Sequence, residues 1–212
     1  MNMRLLALYA LLLISTCSFA FESGDAQQSS SSTYTSTANS TARNKTTAII
    51  VEGGTKNADR EPVTNTTPAQ VATAQKLGVD PRWVKPDGSP DWPTKANNGF
   101  DGGFAEQPIV IELKPGQTFD RYGGRFDEHG NFTDQGSFVS PKDVTFDQRS
   151  LPDSCWTLPY RQYEVVKPIA QVNAGTAAPW FGKPGGGIQY QLPMNIDKLM
   201  KEGFIKPTNK PG

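Results

Sequence analysis

A chain of 212 residues carrying 21 Lys plus Arg against 21 Asp plus Glu has room for one modest domain with appendages and has no net charge. That balance leaves no basic surface for nucleic acid or an anionic membrane. One histidine and two cysteines cannot build a zinc cage, so polyanion binding and transition-metal chemistry are both excluded and no metal site is expected.

The opening "MNMRLLALYALLLISTCSFA" has one positive charge at Arg4, an apolar run from Leu5 to Ile14, and small residues at Ser18 and Ala20. This is the layout of a secretory signal peptide, residues 1–20, and the run is too short for a membrane span. The expected product is a secreted, extracellular chain. Removing Arg4 and no acid gives 20 − 21 = −1. Cys17 would leave with the leader and Cys155 would stand alone, with two fates: burial, or a bridge to a second chain and hence a homodimer.

Residues 21–66 are rich in Ser, Thr, Asn and Gln, with too little apolar surface to offset the entropy of ordering a backbone. They read as a disordered stalk. Acceptor triplets for N-glycosylation stand at Asn39, Asn44 and Asn65, and again at Asn131, so a eukaryotic chain of this sequence would be a glycoprotein. The "AIIVEGG" patch at 48–54 is not counted as a strand.

Residues 67–91 open with Thr67 as N-cap, Pro68 in the first helical position, Gln70 completing a capping box and Gly78 stopping the helix, followed by a Pro- and Trp-rich connector. From 92 to 207 the signals are mostly β. "PIVIELKPGQTFDRYG" reads as a strand at 109–113, a Pro115-Gly116 turn and a second strand to Tyr122. "YRQYEVVKPI" and "IQYQLP" are two more strands, and "NIDKLMKEGF" is a short helix capped by Asn195, before a tail at 208–212. The expected fold is α+β, a small twisted sheet with short flanking helices.

The chemistry available is narrow. His129 lies in the acidic turn "RFDEHGNF", a poor place for a catalytic base, and Asp120, Asp127, Glu128 and Asp134 read as a solvated acidic loop more readily than as a calcium site. What remains is a set of directional polar groups among aromatics: Arg121 beside Tyr122 at a strand end, and Gln189 just after the glycine triplet Gly185–Gly187 in "APWFGKPGGGIQY". Alternation places Gln189 and Gln191 on one strand face and Tyr190 and Leu192 on the other. The triplet, beside Trp180 and Phe181, implies a close approach of ligand or backbone.

"DWPTKANNGFDGGF", "LKPGQTFDRYGGRF", "GSFVSP", "QRSLP" and "APWFGKPGGGIQY", in this order, resemble the tuberculosis necrotizing toxin family of secreted NAD glycohydrolases, which includes bacterial toxins and fungal surface enzymes. The resemblance spans Asp91 to Phe204. It implies hydrolysis of NAD to nicotinamide and ADP-ribose on a core related to ADP-ribosyltransferases, with NAD as substrate and no separate cofactor. A bacterial toxin of this kind would also need an immunity protein. It further implies that Arg121 grips the pyrophosphate, that Gln189 orients ribose hydroxyls or the attacking water, and that Tyr122, Phe138, Trp180, Phe181, Gly185, Gly186 and Gly187 line the substrate. Lys183, Ile188 and Phe138 depart from the family pattern. A histidine that some members carry is missing near "YRQYEVV", where Arg161 or Gln162 would substitute. Two other readings stay open: an ADP-ribosyltransferase using Glu164, or a non-catalytic exported module that binds through Trp180, Phe181 and Trp92. A substrate site requires Arg121 and Gln189 to face into one concavity, whereas a binding module requires an exposed aromatic patch. Side chains of Arg121 and Gln189 that are far apart or on opposite faces of the sheet would turn the reading to the binding module.

Overall fold

The computed structural model describes residues 60–61, 63–95 and 100–209. The signal peptide, most of the stalk, the 48–54 patch and the acceptor sites Asn39 and Asn44 lie outside the described residues. Asn65 and Asn131 are both exposed.

Helix α1 (Pro68–Leu77) forms as its caps dictate. The Thr67 hydroxyl accepts from the Gln70 N–H, the Gln70 side chain accepts from the Thr67 N–H, and Gly78 closes the helix at φ +67°. The chain engages the fold before this cap, because Arg60 pairs with Asp91 and stacks over the rings of Trp83 and Trp180.

The strands follow as β1 (Ile109–Leu113), β2 (Thr118–Tyr122), the small hairpin of β3 (Arg125–Phe126) with β4 (Phe132–Thr133), β5 (Phe138–Pro141), β6 (Tyr160–Val165), β7 (Ile169–Thr176) and β8 (Ile188–Gln191). Helix α2 (Ile196–Lys201), capped by the Asn195 side chain, and β9 (Ile205–Pro207) complete the chain order. Seven strands form one antiparallel sheet in the order β1-β7-β8-β5-β2-β6-β9. The architecture is α+β, a mostly antiparallel sheet with few helices, as its sequence pattern leads one to expect.

The longest strand, β7, is one the sequence pattern conceals. Its buried residues Ile169, Val172 and Ala174 are spaced by three and then two, because Gln171 takes a left-handed φ of +57° and the register against β1 shifts at the same level. A bulge of that kind hides a strand from any search for strict alternation.

One sheet face is apolar. Phe119, Val139, Tyr163, Val165, Val172 and Leu192 pack there against Ile196 and Leu199 of α2. Each such burial removes a side chain from water for about 1.5–3 kcal/mol. A second cluster joins Trp83, Trp180 and Phe181, with Val79 and Trp92 packed against it. Cys155, in the 3-10 turn Asp153–Thr157, is fully buried, and Cys17 lies outside the described residues. Among the described residues no helix is long and apolar enough to cross a membrane.

Candidate active site

Strand β2 supplies the frame of the site because alternation sends its neighbours to opposite faces. Asp120, only 1% exposed, leaves the sheet on the side away from α2. There its Oδ1 pairs with Arg149 Nη2, and its Oδ2 accepts from the Tyr160 hydroxyl at 2.7 Å. The Tyr160 oxygen in turn accepts from Gln162 Nε2 at 3.2 Å. Arg149 closes the 3-10 turn Asp147–Arg149, and Ser150 after it takes the left-handed conformation at φ +50°. Its Nε and Nη2 donate to the Val144 carbonyl at 3.1 and 2.8 Å, and its guanidinium carbon stands 5.5 Å from the Tyr122 ring centre. Asp120 therefore holds one edge of a planar fork whose position is fixed on three sides.

Arg121 points the other way from β2, with Phe119, and then turns into the gap where β5 diverges. Its Nε lies 2.8 Å from Asp134 Oδ2, and its Nη1 donates to the Phe138 carbonyl at 2.8 Å. Nη2 is buried with no protein partner. The guanidinium is wedged between Gly123 and Gly136, where a Cβ on either glycine would come within 2.1–2.2 Å of it. Burial pushes the Asp134 carboxyl above its ordinary range against the opposing pull of Arg121. Asp120 and Asp134 are thus buried counterions, which corrects the reading of a solvated acidic loop. Asp127 does lie on the exposed hairpin turn, as does His129.

Two adjoining clefts share Phe138, Arg149, Leu151 and Gln189. One, of about 30 Å³, is also lined by Arg121 and Tyr122; the other, of about 40 Å³, by Trp92 and Trp180. By strand alternation Arg121 and Gln189 leave the sheet on opposite faces, against the expectation for a substrate site, yet both line the smaller cleft. Gln189 is aimed by its Nε2, which donates to the Gly102 carbonyl at 2.7 Å. Gln191 joins Asn173 nearby, its Oε1 accepting at 3.0 Å.

The aromatics divide into two groups. Trp180 is 1% exposed and packs at 5.1 Å from Trp83, so with the buried Phe181 it forms a floor. Tyr122 instead meets Phe146, Trp156 and Tyr160 at ring separations of 5.2, 5.5 and 4.8 Å. The glycine triplet lets the chain approach itself. A Cβ at Gly185 would stand 2.6 Å from the Ala177 carbonyl, and one at Gly187 would stand 2.4 Å from Val144, while Gly186 is open.

Sequence reasoning missed Arg149, Asp120 and Tyr160 as a unit. The signal for Arg149 was its place in "QRSLP", and no local pattern links that turn to β2, which lies 29 residues earlier.

Residues 112–208 match the family model described as tuberculosis necrotizing toxin. The match covers a little under half of the chain. A conidial surface nicotinamide adenine dinucleotide glycohydrolase of Aspergillus fumigatus is 31% identical over 132 residues, 58% of this chain and 51% of the relative. The chain thus spans about half the length of that curated relative. Two solved structures are also similar. Tuberculosis necrotizing toxin complexed with its immunity factor has a TM-score of 0.44 at 20% identity, over 79% of this chain and 100% of that one. Rhs1-CT in complex with its cognate immunity protein has a TM-score of 0.33 at 19% identity, over 51% and 83%.

Within the matched segment, the two residues expected to stand in for a missing histidine separate. Gln162 joins the Tyr160–Asp120 chain, whereas the Arg161 guanidinium lies 4.5 Å from the Phe132 ring centre. Glu164 pairs with Lys206 at 3.0 Å.

Proposed function

We propose that this domain hydrolyses NAD at the nicotinamide–ribose bond, with water as acceptor and NAD as substrate, needing no further cofactor. The observation that carries the reading is that Arg149 and Gln189, from segments 40 residues apart, line the same two clefts in the segment that matches this family. Its relative in Aspergillus fumigatus is a glycohydrolase of that dinucleotide. A core of ADP-ribosyltransferase type and action outside the cell belong to the same proposal.

The bond to be broken asks little of acid catalysis. Nicotinamide is a cationic leaving group that departs neutral, and water adds to the ribosyl cation, yielding nicotinamide, ADP-ribose and a proton. The site must then hold two phosphates, stabilise positive charge on the ribose and place one water. Arg149 suits the first task, since its fork matches phosphate oxygens and Asp120 fixes its plane. Arg121 adds its field from behind the Phe138 carbonyl, its charge offset by Asp134. Gln189 donates its amide N–H to Gly102, which leaves Oε1 to accept from a water attacking the ribose. The cleft of about 30 Å³ has room for about one water, so the loop walls must part to admit a nicotinamide ring.

The opposite sheet faces of Arg121 and Gln189 favour a binding module, but the cleft they share and the buried aromatics do not. The aromatics a binding module would present, Trp180 and Phe181, are buried, and the Glu164 a transferase would use is paired with Lys206. Incubating the purified chain with NAD and following free nicotinamide tests the proposal. Release above a boiled control is expected; none, from a folded chain, overturns it. Labelled ADP-ribose found on protein rather than free in solution would turn the reading to a transferase.

A further inference from the structure

A third concavity, of about 520 Å³, opens beside the clefts and is lined by Thr145, Phe146, Asp147, Asp153, Trp156 and Lys183. Trp156 is 61% exposed, an arrangement that costs apolar hydration and is tolerated where a ligand covers the ring. It is also held flat, stacked on Tyr122 at 27° and meeting Phe146 edge-on at 85°. Tyr122 is the shared wall: it lines the smaller cleft, stands next to the Arg149 guanidinium, and touches both aromatics of the third concavity.

Charge decides which part of a dinucleotide belongs where. Lys183 Nζ is bound between Asp153 at 2.8 Å and Asp147 at 3.0 Å and stands 5.0 Å from the Phe146 ring centre. One ammonium against two carboxylates leaves a net negative rim, which rejects a phosphate and tolerates a neutral heterocycle. The pyrophosphate is thereby left to Arg149.

We propose that Trp156 and Phe146 form the platform on which the adenine ring of the substrate stacks, one step across Tyr122 from the scissile bond. This rests on the NAD-hydrolase reading for the identity of the substrate, and it assigns a binding role to residues that the motif series does not contain. Flat aromatic faces recognise a purine through stacking, whatever edge contacts follow.

The test compares NAD with nicotinamide mononucleotide, which keeps the scissile bond and lacks the adenosine half. In Trp156→Ala the ratio of kcat/KM for NAD to that for the mononucleotide falls about tenfold, and Trp156→Phe restores most of it. A ratio unchanged in Trp156→Ala, with both substrates lowered together or neither lowered, overturns the platform. Binding provides a readout independent of turnover. Adenosine 5′-monophosphate is expected to quench the tryptophan fluorescence of the parent chain saturably, and Trp156→Phe to lose that quenching; absence of quenching in the parent chain overturns the proposal. Should the parent chain cleave neither substrate yet show the quenching, the hydrolase reading fails and the purine platform stands.

Discussion

The two sides of β2 each bury an arginine against a carboxylate, and they use it differently. On the α2 side, Arg121 is clamped by Asp134, the Phe138 carbonyl and two glycines that leave no space for a side chain. On the other side, Arg149 is held by the Asp120 carboxylate and by the Val144 and Asp120 carbonyls, and it lines both clefts. A guanidinium fixed in its plane at the wall of two clefts is pre-organised for a ligand.

The largest expected effect breaks the clamped side. Asp134→Ala leaves Arg121 buried without its counterion and should cost about 3–5 kcal/mol, measured as a lower midpoint in urea unfolding. A loss under about 1 kcal/mol would mean that Arg121 is solvated in the absence of its partner. Next come the kinetic contrasts. Arg149→Lys keeps the charge beside Asp120 but removes the fork, so kcat/KM for NAD should fall about ten- to a hundredfold, and Arg121→Lys should lose stability with a smaller kinetic change. The opposite ranking would return the phosphate role to Arg121. Gln189→Ala should lower kcat by about tenfold or more with little change in KM, because a water-positioning group acts mainly in the transition state.

A smaller effect sharpens the same contrast through pH. Burial raises the Tyr163 hydroxyl well above the ordinary tyrosine range, and burial also raises Tyr160 and Tyr190. An unfolded tyrosine ionises near pH 10, whereas these stay protonated above it, so the folded chain binds more protons there. Stability is then fully present below about pH 10 and declines above it, by about 1.4 kcal/mol per pH unit for the fully buried Tyr163. Tyr163→Phe should flatten the alkaline limb of a stability–pH curve; an unchanged limb would show that another group drives it. The smallest effect concerns the glycine triplet. Gly186→Ala should cost about 1–2 kcal/mol, for its positive φ alone, while Gly185→Ala should cost more, because its Cβ also meets the Ala177 carbonyl. Equal losses in thermal melts would break that distinction.

Local rules settled much of this protein. The capping box at Thr67 and Gln70, the Pro115-Gly116 turn, β1, β2, β8 and the Asn195 cap each depend on residues within a few positions of one another, and so they were legible along the chain. Ordered motifs likewise pointed to the family resemblance, since motif order survives in the linear sequence. Tertiary structure decided what depends on partners distant in sequence. It decided that Asp120 and Asp134 are counterions rather than a solvated loop, and that β7 continues through a bulge. It decided too that Trp180 is floor while Trp156 is an exposed face, and that Arg149 lines both clefts whereas Arg121 lines one. A side chain's charge and shape are written in the sequence, but what neutralises it, and which of its edges faces a cavity, depends on segments that meet only when the sheet has closed.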